Sequence, residues 1–299
     1  MIKYTATILT VLALLAMPLP IYPTHTAVRD FTFFIERTIY VYENIGDEEP
    51  AAIVSPQYVT VRQQYGDWLQ ISTWRGPMWF DSAFVPPLLQ SEIDPSRPMI
   101  AITFDDGPNG YAMGIMDVFE AYDARATFFV LGRNIEHHHM AIERMYRNGF
   151  EVAGHTWDHP YLTSLTPEEV ATAIIEPHEA LEQLLDTSIP PIIRPPHGAY
   201  NDTVRRVARE LGFAIIHWSV CVADWERPCH EDIAYRVIRD TRDGDIILLH
   251  DIHSPTAASI EIIVPELVAR GFQLVTVSDL MYHRGVELTP GQVYRRALP

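Results

Sequence analysis

From Met99 onward the chain repeats one local pattern. A short apolar run gives way to a polar stretch with helical spacing, which ends at a glycine followed by Phe and a new apolar run. Gly149-Phe150, Gly212-Phe213 and Gly271-Phe272 all fit this description. Glycine takes up the left-handed conformation that ends a helix at little steric cost, so each marks a helix stop. Thr166-Pro167-Glu168-Glu169 marks a start, as a capping box with proline at the first helical position. Strands are predicted at 99–104, 126–131, 151–153, 192–193, 214–218, 246–249 and 273–275. Helices are predicted near 110–123, 134–148, 167–185, 201–211, 230–242 and 257–270. Strands separated by helices return to their sheet in parallel. The fold class is therefore α/β, an irregular parallel (β/α) barrel of about seven strands.

Residues 30–90 follow another rule. Short β-rich runs (Phe31–Ile35, Thr38–Tyr42, Tyr58–Val61, Trp68–Ile71, Met78–Phe80) are separated by turn signals at Gly46-Asp47, Ser55-Pro56, Gly66-Asp67 and Arg75-Gly76-Pro77. This is a small all-β module. Its Gly66-Asp67-Trp68 strand ahead of Gly76-Pro77-Met78-Trp79 resembles a bacterial SH3-like domain. The resemblance implies a cell-wall peptide as ligand, with a purely structural β-unit as the alternative. Residues 91–98, bearing Pro95 and Pro98, read as a linker, 99–285 as the β/α domain and 286–299 as a C-terminal tail.

The N-terminus carries Lys3 ahead of an apolar run from Ile8 to Met17, then Pro18, Pro20 and Pro23. This is a secretory pattern, too short for a comfortable membrane span. Residues 1–27 are expected to be a signal peptide or an uncleaved anchor, placing the protein outside the cell or in its envelope. The 39 acidic against 22 basic residues give a net charge of −17. A basic face for nucleic acid is excluded on that ground, as is a polybasic membrane anchor. Lys3 is the only lysine, so a Schiff base or P-loop lysine is excluded from the body of the chain.

Four polar clusters fall at predicted strand ends, where a β/α barrel holds its site. In Thr103-Phe104-Asp105-Asp106-Gly107-Pro108, adjacent carboxylates reach one site only if the strand turns there. His155 and His159, four apart, chelate one ion if their segment is helical, and Asp106 is available as third ligand. Arg194-Pro195-Pro196-His197-Gly198 places an arginine where it would favour ionised Asp105. Asp245–Asp251 is an apolar strand closed by His250, and Trp218–Trp225 adds Asp224 and two indoles. His137-His138-His139 cannot share one helix face and reads as a solvated surface.

The ordered set Thr-Phe-Asp-Asp-Gly-Pro, His-Thr-x-x-His-Pro, Arg-x-Pro-x-Gly, Asp-Trp and Leu-x-His resembles the polysaccharide deacetylase family over about residues 97–283. The resemblance implies Asp105 as catalytic base and Asp106, His155 and His159 as metal ligands. It implies Arg194 as the residue holding Asp105, His250 as general acid and Asp224 as its orienting carboxylate. The backbone N–H of His197 would hold the oxyanion, and Trp218 and Leu248 would line the acetyl pocket. The cofactor implied is a divalent metal, zinc first, with cobalt, nickel or manganese able to use similar ligands. Two departures stand out: His197 occupies a position the family usually fills with an aromatic residue or arginine, and Cys221 one that is often Asp. Cys221 and Cys229 flank the site in an exported chain, where they pair as a disulfide or remain as two buried thiols. The activity expected is metal-dependent N-deacetylation of N-acetylated glycans, peptidoglycan or chitin-like. The alternatives are O-deacetylation of acetylated xylan and non-catalytic wall binding.

Overall fold

The computed structural model describes residues 31–35, 39–47, 50–54, 57–65, 68–73, 75–81 and 93–298. The expected leader at 1–27, the Ser55-Pro56 and Gly66-Asp67 turns and the first two linker residues lie outside them. Among the described residues no helix is long and apolar enough to cross a membrane.

The N-terminal module contains β1 (Phe31–Ile35), β2 (Ile39–Val41), β3 (Ala52–Val54), β4 (Gln57–Tyr65), β5 (Trp68–Thr73) and β6 (Gly76–Asp81). Strands β1, β4, β5 and β6 form an antiparallel sheet in that order, and β2 pairs with β3. The alternation along β5 buries Leu69 and Ile71, which join Val41, Val54, Val61 and Phe80 in a core of the module's own.

The rest of the chain runs β7 (Met99–Asp105), α1 (Ala112–Ala121), β8 (Thr127–Val130), α2 (His139–Arg147), β9 (Glu151–Gly154), α3 (Pro167–Leu185), β10 (Ile192–Ile193), α4 (Asp202–Leu211), β11 (Ala214–Ile216), β12 (Val220–Cys221), α5 (His230–Asp240), β13 (Ile246–His250), α6 (Ser254–Ala269), β14 (Gln273–Leu274), α7 (Val277–His283) and β15 (Val293–Tyr294). All seven expected strands are present in a curled parallel sheet of order β12-β13-β7-β8-β9-β10-β11-β15, with β14 also paired to β7. Helix α3 begins at Pro167 behind the Thr166 capping box and ends at Leu185, as its sequence signals require. The glycines at 149, 212 and 271 all have positive φ, as helix stops do.

Strand β7 is buried along its whole length, so its two faces serve two cores. Ile100, Ile102 and Phe104 point to the layer beneath α1, α5 and α6. Met99 and Ala101 point to the barrel interior, with Phe129, Ala153, Ile216 and Ile246. The interior is thus packed at its lower end, where the buried Thr127 and Glu151 bond each other and the start of α7, and the polar cluster at the strand ends above is separate from it.

The C-terminal segment is more than a tail. Strand β15 pairs with β11, Arg296 bridges to Asp245, and the Ala297 N–H donates to Gly244 O at 2.8 Å. Ala297 is buried in the interior cluster. The segment therefore spans the gap between β11 and β13. Ala297→Asp is expected to destabilise the protein by about 2–5 kcal/mol in urea unfolding, because it buries an unpaired charge. Leu298→Asp, at a residue 58% exposed, should stay within about 0.5 kcal/mol of wild type.

Candidate active site

Parallel register places the first four side chains. Asp105 lies opposite His250 across β7 and β13, and Thr103 lies opposite Leu248. Residues two apart share a strand face, so all four belong to one patch at the upper end of the barrel.

Arg194 closes that patch from the other side. It is fully buried, and its Nη1 donates to Asp105 Oδ1 at 2.7 Å and to Thr103 Oγ1 at 2.6 Å. Its Nε and Nη2 donate to the carbonyls of Ile216 (3.3 Å) and His217 (3.0 Å). The guanidinium lies 4.1 Å from the centre of the Phe129 ring. Burial lowers its pKa while the charge and hydrogen bond of Asp105 raise it. The guanidinium stays charged throughout the working range.

Asp106 turns away from the strand with φ 73°, which brings its carboxylate to the same site as that of Asp105. Asn134 Nδ2 fixes this turn by donating to the carbonyls of Asp106 (2.8 Å) and Gly107 (3.0 Å). Asp106 Oδ1 lies 3.5 Å from His155 Nε2 and 3.3 Å from His159 Nε2. The two histidines converge, but not through a helix: 155–160 is an irregular turn with Thr156 at φ 67° and His159 at φ 65°. The helical-chelate expectation is corrected on that point, since the left-handed residues redirect His159 toward Asp106. His155 Nδ1 meets the Arg194 carbonyl at 2.6 Å, which leaves Nε2 facing the carboxylates.

The three candidate ligand atoms lie within 4.8 Å of one another, and Asp106 Oδ1 is buried with no hydrogen-bond partner among the described residues. Two imidazole nitrogens and an unsatisfied carboxylate oxygen are a fitting donor set for a divalent transition ion. Burial pushes the Asp106 carboxyl up, but its contact with His155 and the charges of His155, His159 and His250 hold it at about 2. Burial and the charge of His155 bring His159 down to about 4, so its nitrogen is unprotonated at neutral pH.

His250 faces this group from β13. Its Nδ1 meets Asp224 Oδ1 at 2.9 Å, and its backbone N–H donates to Asp224 Oδ2 at 2.9 Å. Thr256 Oγ1 donates to the same Oδ2 at 2.7 Å. Burial disfavours the imidazolium, yet the Asp224 hydrogen bond and the charges of Asp224, Asp105 and Asp106 raise the pKa of His250. Trp225 stands edge-on to its ring at 5.1 Å.

The remaining expected residues divide. Trp218 stacks on His217 at 3.9 Å, and Leu248 is buried on β13 two residues from His250. Gly198 explains why its motif ends in glycine: φ is +64°, and a Cβ there would come within 2.6 Å of Trp218 Cη2. His197, at φ 60°, sits beside the ligand cluster, with its ring 4.3 Å from that of His159. Cys221 and Cys229 are free thiols, and both are exposed, so neither pairing nor burial is found. Cys221 ends a strand paired to β13, while the Cys229 thiol donates to Glu231 at 2.9 Å. His137 and His138 precede α2, which starts at His139, and the cluster faces solvent as expected.

Asp251 was not singled out from the sequence. It is fully buried, and its two oxygens have no hydrogen-bond partner among the described residues. They lie so close to Gly107 that a Cβ at that position would collide with them. An ionisable residue next to a strand-closing histidine was the available signal. Asn134 and Thr256 carried none, because their role depends on loops distant in sequence.

A family profile described as polysaccharide deacetylase matches residues 92–216. The peptidoglycan-N-acetylglucosamine deacetylase PgdA of Listeria monocytogenes is 36% identical over 65% of this chain. The chain covers only 41% of that relative's length. A peptidoglycan-N-acetylglucosamine deacetylase of Bacillus cereus is 34% identical over 64% of this chain and 92% of its own. The solved structure of peptidoglycan deacetylase PdaC from Bacillus subtilis superposes with a TM-score of 0.62 at 36% identity, covering 64% of this chain and 94% of that one. The chain belongs to the polysaccharide deacetylase family.

Burial, with the charges of Asp106 and Asp105, pushes the Asp251 carboxyl from 3.8 up to about 8 against the opposing charge of His250. The folded state therefore holds a proton that the unfolded chain has released between these values. Stability contributed by this group is present at low pH and is lost as pH rises from about 4 to about 8. In chelator-treated protein, Asp251→Asn is expected to remove up to about 1.4 kcal/mol per pH unit from that slope in urea unfolding at several pH values.

Proposed function

We propose that this protein is a metal-dependent N-deacetylase of N-acetylated glycans, acting on cell-wall polymers outside the cell. The observation that carries this reading is the pairing of Asp105 with His250 across β7 and β13, beside the Asp106, His155 and His159 cluster. A base and an acid face one ligand group. The names of the peptidoglycan deacetylases it resembles support the same substrate class. Asp106, His155 and His159 would hold the cation, for which zinc is the natural choice with two imidazoles and one carboxylate. Such a cation supplies polarisation of the acetyl carbonyl and a lowered pKa for water.

The chain's own residues do the rest. Asp105, immobilised by Arg194, takes a proton from the attacking water. The backbone N–H of His197 meets the oxygen on which negative charge develops. An amine leaves poorly unless protonated. His250 delivers that proton from Nε2, because Nδ1 is engaged by Asp224. Trp218 and Leu248 bound the space for the acetyl methyl group. The secretory N-terminus and the β-rich module belong to the same proposal, with the module holding a wall peptide near the site.

Acetate release from N-acetylglucosamine oligomers and from purified cell wall, with and without chelator, tests this reading. Activity on neither substrate would overturn it. Asp105→Asn is expected to keep its metal content while turnover falls about 10²–10⁴-fold. Activity requires protonated His250 and so declines as pH rises through the pKa of that residue. Asp224→Asn removes the main group raising that pKa, so the alkaline limb of the kcat profile should move to lower pH.

A further inference from the structure

Beyond the ligand cluster the structure carries an unbroken run of rings. The His155 and His159 centroids are 5.0 Å apart, His159 and His197 4.3 Å, and His197 and Tyr161 3.8 Å. The last pair is nearly coplanar, at 14°. The run begins at a buried residue and ends at Tyr161, which is 53% exposed. Tyr161 is nevertheless held in place. Its carbonyl accepts from Ser164 N at 3.0 Å and Ser164 Oγ at 2.7 Å, and the next residue, Leu162, is buried. Exposed tyrosines are common on this surface, but this ring stacks face to face on a histidine that itself touches His159. The ring is fixed by its backbone and by a histidine on one side, and over half of its surface is offered to solvent.

We propose that Tyr161, backed by His197, is a binding platform for a sugar ring of the glycan chain next to the sugar that loses its acetyl group. The inference rests on the deacetylase reading above and goes further by assigning a subsite and a minimum substrate, a glycan of more than one sugar. Pyranose rings present a face of C–H groups that packs on an aromatic ring, and tyrosine adds a polar rim that tolerates water. The platform lies two ring-steps from the ligand histidine, His159, which suits a neighbouring sugar better than the reacting one. The interaction is uncharged, so it does not oppose the net charge of −17 carried by the chain.

The test uses the full-length, zinc-loaded protein and the N-acetylglucosamine tetramer. The readouts are kcat and KM for acetate release, with zinc affinity by titration calorimetry as the check on the ligand cluster. Tyr161→Ala is expected to raise KM about tenfold, with kcat within about twofold of wild type and zinc affinity unchanged. Tyr161→Phe, which keeps the ring and drops the hydroxyl, is expected to stay within about twofold of wild type in KM. An unchanged KM in Tyr161→Ala, or a loss in Tyr161→Phe as large as in Tyr161→Ala, overturns the platform. So does a loss of zinc affinity in Tyr161→Ala, which would make Tyr161 a prop for His159. Wild-type protein that binds zinc yet releases acetate from neither the tetramer nor purified cell wall overturns the deacetylase reading and the platform together, whereas activity on the wall with none on the tetramer overturns the platform alone.

Discussion

The buried pair of Arg194 and Asp105 is the interaction on which the rest of the site depends. An ion pair without water is costly unless every donor and acceptor is used. Arg194 offsets that cost by engaging four of its five N–H donors, in hydrogen bonds to β7, the end of β11 and the residue after it. Its carbonyl meanwhile fixes the ring of His155. One residue therefore holds the proposed base with its side chain and orients a proposed ligand with its backbone. Base and ligand cannot move independently, and their relative position is set before any substrate arrives.

Around this pair the backbone is bent sharply. Asp106, Thr156, His159 and His197 all have positive φ without being glycine. Such conformations cost about 1–3 kcal/mol each and persist where the surroundings over-determine them. The surroundings here are a packed barrel below and hydrogen bonds such as those of Asn134 above. The strain is concentrated where chemistry is proposed and is absent from the strands that support it.

Much of the barrel was legible because its signals are local. Glycine stops, a capping box and buried apolar runs placed seven strands and six helices. Helix α7 and strands β12 and β15 escaped; β10 and β14 are as short, but each lies on an apolar run that the sequence shows. The clustering of Asp105, Asp106, Arg194 and His250 was legible because each closes or follows a predicted strand, and parallel strands bring such ends together. The route by which His155 and His159 converge was not. Residue type does not announce a left-handed threonine or histidine, so spacing alone pointed to a helix. Asp251 was hidden for a related reason: it fills the space left by the missing side chain of Gly107, and no residue type marks that approach.

The close approach of Asp251 to Gly107 and of Trp218 to Gly198 has a consequence for redesign. Each glycine leaves a space that a side chain from another loop occupies, so the inner loops interlock and offer no room for new volume. Enlarging or reshaping residues at that depth to alter the proposed sugar specificity would displace the proposed acid, base or ligands as well. Latitude lies at the outer positions, His197, Tyr161 and Trp225, whose rings face water on one side. The proposed selectivity is therefore open to alteration from the rim inward, with the proposed reactive centre left as it stands.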